Sequence, residues 1–151
     1  MGLVKVLFVL PREEGFPGRE GLWAEDLGTG FFVLRNVPVY AFGVAEGDTV
    51  TCVFRDGVLA FQAVARDGGN GTVRVYFRPD TNFERVLTRL SELGCTFERG
   101  TQHLYAFTVP NSLSSRLDEL AVVLNEAIEV EAWEYGKQPL GTASHRPGAR
   151  S

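Results

Sequence analysis

Residues that carry chemistry are scarce in this chain of 151 amino acids, which has two histidines, two cysteines and one methionine. His103 falls in a turn and His145 near the C-terminus, and neither stands at metal-ligand spacing from a Cys, Asp or Glu. A His/Cys zinc site is therefore not expected, and no metal or other cofactor is; His103 reads as an exposed turn residue. There is no Gly-x-Ser-x-Gly elbow, and helix capping explains the cluster Ser112, Ser114 and Ser115. The glycine-rich segments Gly15 to Gly21 and Gly68 to Gly71 do not end in Gly-Lys-Ser/Thr, nor do they lead from a strand straight into a helix. Both conditions are needed to cradle a phosphate, so these segments are turns. No apolar run is long enough to cross a membrane: Leu3 to Leu10 is short, contains Lys5 and is followed by no cleavage-site pattern. An excess of basic residues is missing too, since 15 Lys and Arg face 19 Asp and Glu for a net charge of −4. That balance argues against binding to nucleic acid or anionic lipid, which both favour basic surfaces.

What is present is an ordinary globular balance, 44% hydrophobic and 23% charged. The length suits one domain or two tightly packed halves. Nothing points to export, so the protein is expected in the cytoplasm, with Cys52 and Cys95 as buried free thiols.

Leu22 to Asp48, LWAEDLGTGFFVLRNVPVYAFGVAEGD, organises the chain. Gly28 and Gly30 flank a turn, and Phe31 to Arg35 reads as a strand. Pro38 lacks a donor and should end or bend the next segment. Gly43, inside the apolar run Val39 to Val44, marks a bulge or a close approach. Val4 to Leu10, Thr49 to Phe54 and Val58 to Ala65 add strands, the last two joined across Asp56-Gly57, while Pro11 to Gly21 reads as a surface loop. The first half, residues 1–67, is thus expected to be a small curved β-sheet or partly open β-barrel.

Arg66 to Gly71 is the expected boundary. Beyond it Thr72 to Arg78 alternates as a strand, with Arg74, Tyr76 and Arg78 on one face. Thr81 to Glu84 has capping-box spacing, and Phe83, Val86, Leu87, Leu90 and Leu93 form a helical stripe ended by Gly94. A hairpin of Thr96–Arg99 and Leu104–Val109 follows, turning at residues 100–103. A helix capped by Asn111 or Ser112 comes next, with the stripe Leu113, Leu117, Leu120, Leu124 and Ile128, and then the strand Val130–Tyr135. This βαββαβ order predicts a ferredoxin-like half over residues 72–135, in an α+β protein overall. Its helix-free face must meet solvent, the first half or a partner. Residues 136–151 read as an unstructured basic tail.

LWAEDLG and NVPVYAFGVAEGD, together with the opening LFVLPREEGFPGREG and the later LGC and WEY elements, resemble a family of small bacterial domains of unknown function. The resemblance runs from about residue 3 to residue 135. It implies a fold shared with that family and no particular activity.

The working surface is expected around Trp23, Glu25, Asn36, Tyr40, Phe42 and Asp48, because aromatic residues with a polar handle make a surface both adhesive and specific. The plain alternative puts Trp23 and Phe42 in the core between the halves, the commoner fate of large aromatics. No catalytic residue is expected. Glu25 and Asp26 point to opposite sides of a strand, and Asp48 suits the bonding of turn amides. Base stacking on Tyr76 is unfavourable because Glu126, Glu129, Glu131 and Glu134 crowd that half. The expected function is a non-catalytic protein-binding module, in the manner of an immunity protein meeting a basic effector. The alternatives are a domain that senses a small metabolite or amino acid and, more weakly, an enzyme using Glu25 or Asp48.

Overall fold

The computed structural model describes residues 2–12, 17–77, 83–100, 103–124, 129–135 and 138–142. It is a mixed α+β fold, mostly β, built on two sheets.

The first sheet holds β1 (Leu3–Val9), β2 (Arg19–Asp26), β3 (Phe31–Leu34), β4 (Thr49–Arg55) and β5 (Val58–Arg66). Successive strands pair antiparallel. A parallel pairing of β1 with β5, at Leu7 opposite Ala60, shuts the sheet into a closed barrel rather than a partly open one. Alternate residues point inward, so Val6, Phe8, Leu22, Ala24, Phe32, Leu34 and Val50 form its core. β2 begins at Arg19, earlier than the expected surface loop allowed, because the pairing with β1 extends to Val9 opposite Arg19.

The second sheet has the order β10-β9-β6-β8-β7, with antiparallel neighbours throughout. Its strands are β6 (Gly71–Tyr76), β7 (Thr96–Arg99), β8 (Leu104–Val109), β9 (Glu129–Tyr135) and β10 (Gln138–Thr142). Helices α1 (Phe83–Glu92) and α2 (Leu117–Leu124) lie in the same chain half. Val86 and Leu90 from α1, and Leu120, Val123 and Leu124 from α2, pack in one cluster with Val73, Val75, Tyr105, Phe107 and Val109. Gly94 ends α1 with φ of 96°. The Cys95 N–H bonds the Leu90 carbonyl and the Gly94 N–H bonds that of Ser91, which satisfies the last turn.

β3 ends before Pro38, as that residue led one to expect, and the apolar run Val39 to Val44 forms no strand. Two expectations are corrected. The second helix does not run unbroken from Asn111: a 3-10 turn (Asn111–Leu113) precedes α2, and no side chain caps that turn. Gln138–Thr142, within the presumed tail, pairs with β9 as β10. The capping residues Thr81 and Asn82, the Phe83 side chain, Arg78, the turn residues Thr101 and Gln102, Ile128 and residues 143–151 lie outside the described residues. Among the described residues no helix is long and apolar enough to cross a membrane.

Candidate functional site

After β3 the chain leaves the barrel, and residues 35–48 run between the two sheets before β4 begins. A segment without strand partners must satisfy its amides and carbonyls elsewhere. Here side chains do so from both sides. From β2, the Glu20 carboxylate accepts the N–H groups of Val39, Tyr40 and Ala41 at 2.8, 3.0 and 2.9 Å. From β6, the Arg74 guanidinium donates to the carbonyls of Val39 and Ala41, both at 2.5 Å, and of Pro38 at 3.3 Å. Arg74 is 2% exposed. Its charge is stabilised by those carbonyl dipoles and by the Phe42 ring, 4.5 Å from the guanidinium carbon. The loop is apolar on both sides as well. Ala41 and Val44 enter the barrel core, while Val37 and Val39 pack on Leu104 and Ala106 of β8. The helix-free face of the second sheet is therefore covered by the first half.

Further bonds tie the halves together. Glu46 accepts hydroxyl hydrogens from Thr96 and Thr108, at 2.8 and 2.9 Å. Asn70 donates to the Glu46 carbonyl and accepts from the Asn111 N–H. Asp48, fully buried, accepts the N–H groups of Ala45 and Gly68, each at 2.9 Å.

The expected site residues separate into three groups. Trp23, Glu25 and Asn36 belong together on the barrel wall. Asn36 accepts the Trp23 N–H at 2.7 Å and donates to Glu98 at 3.4 Å, and Glu25 pairs with Arg35 at 2.5 Å. Trp23 is 42% exposed, with the Lys5 ammonium 4.3 Å from its ring centroid. Tyr40 and Phe42 sit on the loop, Tyr40 partly buried against the Val37 cluster and Phe42 60% exposed. The core alternative thus fails for both Trp23 and Phe42, since each keeps a large open face. Asp48 leaves the surface altogether, because its carboxylate closes a turn inside the protein. Among the described residues no three His, Cys, Asp or Glu side chains gather as a metal would require.

The family described as "Domain of unknown function (DUF4265)" matches residues 20–135. This chain belongs to that family. The matched span takes in Glu20, the whole inter-sheet loop and the second sheet through β9. A solved structure, "Novel crystal structure of a hypothetical protein from Neisseria gonorrhoeae", is similar with a TM-score of 0.64 at 19% identity. The match covers 83% of this chain and 89% of that one, a likeness of fold alone. No curated protein matches.

Glu20 and Arg74 had no place among the expected site residues, although they hold the loop that carries Tyr40 and Phe42. One signal was available for Arg74. It alternates with Val73 and Val75 on a strand whose other face the helices need, opposite a proline-containing segment short of donors and partners. Glu20 gave none, because its position followed from the unforeseen length of β2. What the arrangement offers chemically is two half-open aromatic rings, Phe42 against the buried Arg74 guanidinium and Trp23 beside the exposed Lys5 ammonium.

Proposed function

We propose that this DUF4265 protein is a non-catalytic protein-binding module of the cytoplasm, in the manner of an immunity protein that meets a basic effector. The observation that carries this reading is the exposure of Trp23 and Phe42, 42% and 60%, on elements that are otherwise tightly held. Large rings of low conformational entropy, fixed from behind and open in front, suit the centre of a protein interface. The net charge of −4 favours a basic partner. Glu25, Asn36 and Tyr40 supply the polar rim. A catalytic role for Asp48 is disfavoured, because it is fully buried and already accepts two amides. Small-molecule sensing is the second reading. It has a groove of about 250 Å³ between α1 and α2, lined by Arg89, Glu92, Leu93, Glu119, Val122 and Val123. That volume falls below the roughly 300–1,000 Å³ of most ligand sites.

For the second half, residues 72–135, we further propose a ferredoxin-like unit beside a separate barrel unit of residues 1–67. The element order β6-α1-β7-β8-α2-β9 and the antiparallel strand order β9-β6-β8-β7 support it.

Affinity capture with wild-type, Trp23→Ala and Phe42→Ala baits tests the binding role. A basic protein held by the wild type should be lost at least ~10-fold from each variant, the loss of an interface hot spot. Both variants should melt close to the wild type. If Trp23→Ala instead unfolds at much lower temperature while Tyr40→Ala and Glu25→Ala bind normally, the proposed surface is wrong.

A further inference from the structure

Lys5 and Trp23 stand opposite each other on β1 and β2. Both point outward, since their neighbours Val6, Leu22 and Ala24 fill the barrel core. Gly21 shares that outward face and leaves a strip of β2 backbone bare. The Lys5 stem lies along the strip: a Cβ on Gly21 would come within 2.8 Å of its Cδ. Its ammonium ends 4.3 Å from the centre of the Trp23 ring.

Arg35 borders Trp23 on the other side. Its backbone N–H bonds the Trp23 carbonyl at 2.8 Å, and its guanidinium rests on the Glu25 carboxylate at 2.5 Å. Glu25 follows Trp23 by two residues on the outward face, roughly 7 Å along the strand. A bare strip for an apolar stem, a ring for a cation and a carboxylate beyond it are what a long basic side chain needs. The protein's own cations occupy these positions, and both are held loosely. The Arg35 and Glu25 side chains are 49% and 39% exposed, and exposed ion pairs or cation–ring contacts are favoured by about fivefold or less.

We infer that Gly21, Trp23 and Glu25 form a recognition site for an arginine side chain of the partner, and that Lys5 and Arg35 are stand-ins which this side chain displaces. The assignment rests on the protein-binding reading of the same surface and gives its basic partner a chemical group. Arginine suits the site better than lysine, because a planar guanidinium stacks on an indole and still presents N–H groups to a carboxylate. An acidic side chain drawn to Lys5 and Arg35 is the competing occupant. Against it, both cations are already engaged, one on the ring and one on Glu25. The two occupants demand opposite effects when Lys5 is removed: an arriving cation gains a vacated ring, whereas an arriving carboxylate loses its counter-charge.

The test titrates a short peptide of alternating glycine and arginine, to about 10 mM, into the full chain carrying Trp133→Phe, so that Trp23 fluorescence reads the site. A glycine–glutamate peptide is the control. The arginine peptide should give a saturable change. Lys5→Ala should tighten its binding about 2–5-fold, and Glu25→Gln should weaken it about threefold or more. Arg85→Ala removes the same charge from α1, across the second sheet, and should bind as the parent does. No response to the arginine peptide, tighter binding of the glutamate peptide, or no gain from Lys5→Ala overturns the inference. So does an equal gain from Arg85→Ala, which would mark attraction by net charge alone. If the arginine peptide fails while Trp23→Ala still loses a captured protein, this site falls and the protein-binding reading stands.

Discussion

Glu20 and Arg74 grip one short piece of backbone by opposite handles, the carboxylate taking amides and the guanidinium giving to carbonyls. Each is a charged group turned onto unpaired backbone, Arg74 buried and Glu20 partly so, and each leaves that backbone no reason to seek a strand partner. The thiols sit in the opposite kind of environment. Cys95 is buried as expected but Cys52 only half-buried, and desolvation pushes both thiols up to about 11 from an ordinary 9.0. The folded state therefore holds these protons more tightly than the unfolded chain does. The stability this contributes is complete below the ordinary value of 9.0 and is lost as pH rises towards 11. At pH 8 an aromatic disulfide reagent should modify the native thiols far more slowly than the same thiols in denaturant, where both react. Rapid native labelling of both cysteines would contradict the burial assigned to them.

At the scale of elements, legibility followed locality. The β4–β5 hairpin is written in Asp56-Gly57, whose φ angles of 52° and 78° are those a tight turn needs. The end of α1 is written in Gly94 for the same kind of reason. The start of β2 at Arg19 was not legible, because it is set by distant pairing with Val9 rather than by its own residues. The loop after β3 was only half legible: Pro38 forbade a regular strand, but nothing local named Glu20 or Arg74 as the groups that replace one. In the site, residue type alone did not decide between surface and core for Trp23 and Phe42; their exposure, like the burial of Asp48, is a tertiary outcome. Gly68 is a case of the same kind. A Cβ there would collide with the Gly47 backbone, since the linker passes directly over the Glu46–Asp48 turn. Gly68→Ala should cost about 2–4 kcal/mol through overpacking and the weakened bond to Asp48. Gly57→Ala, strained in φ but in open space, should cost only about 1–2 kcal/mol. Denaturant unfolding of the two variants compares them directly, and equal costs would mean the linker is not packed as described.

Across the whole molecule, the barrel and the second sheet are held together by the loop of residues 35–48 rather than by a shared sheet. Two core clusters lie on either side, and a third, of Val37, Val39, Leu104 and Ala106, spans them. Phe42 stays exposed because the loop beneath it is fixed from both sides, so the proposed binding face depends on this joint. The joint in turn depends on Arg74: without it three carbonyls lose their donor and Phe42 its cation. Arg74→Met keeps the length of the side chain and removes the donors, and should cost about 3–5 kcal/mol. The direct test is equilibrium unfolding in denaturant, followed by two probes on a Trp133→Phe background. Trp23 fluorescence then reports the barrel, and helical circular dichroism reports α1 and α2. The two transitions should coincide with Arg74 present; with Arg74→Met the midpoint should fall and the two curves should separate. An Arg74→Met protein that unfolds at the same midpoint, with the curves still superimposed, would contradict the joint.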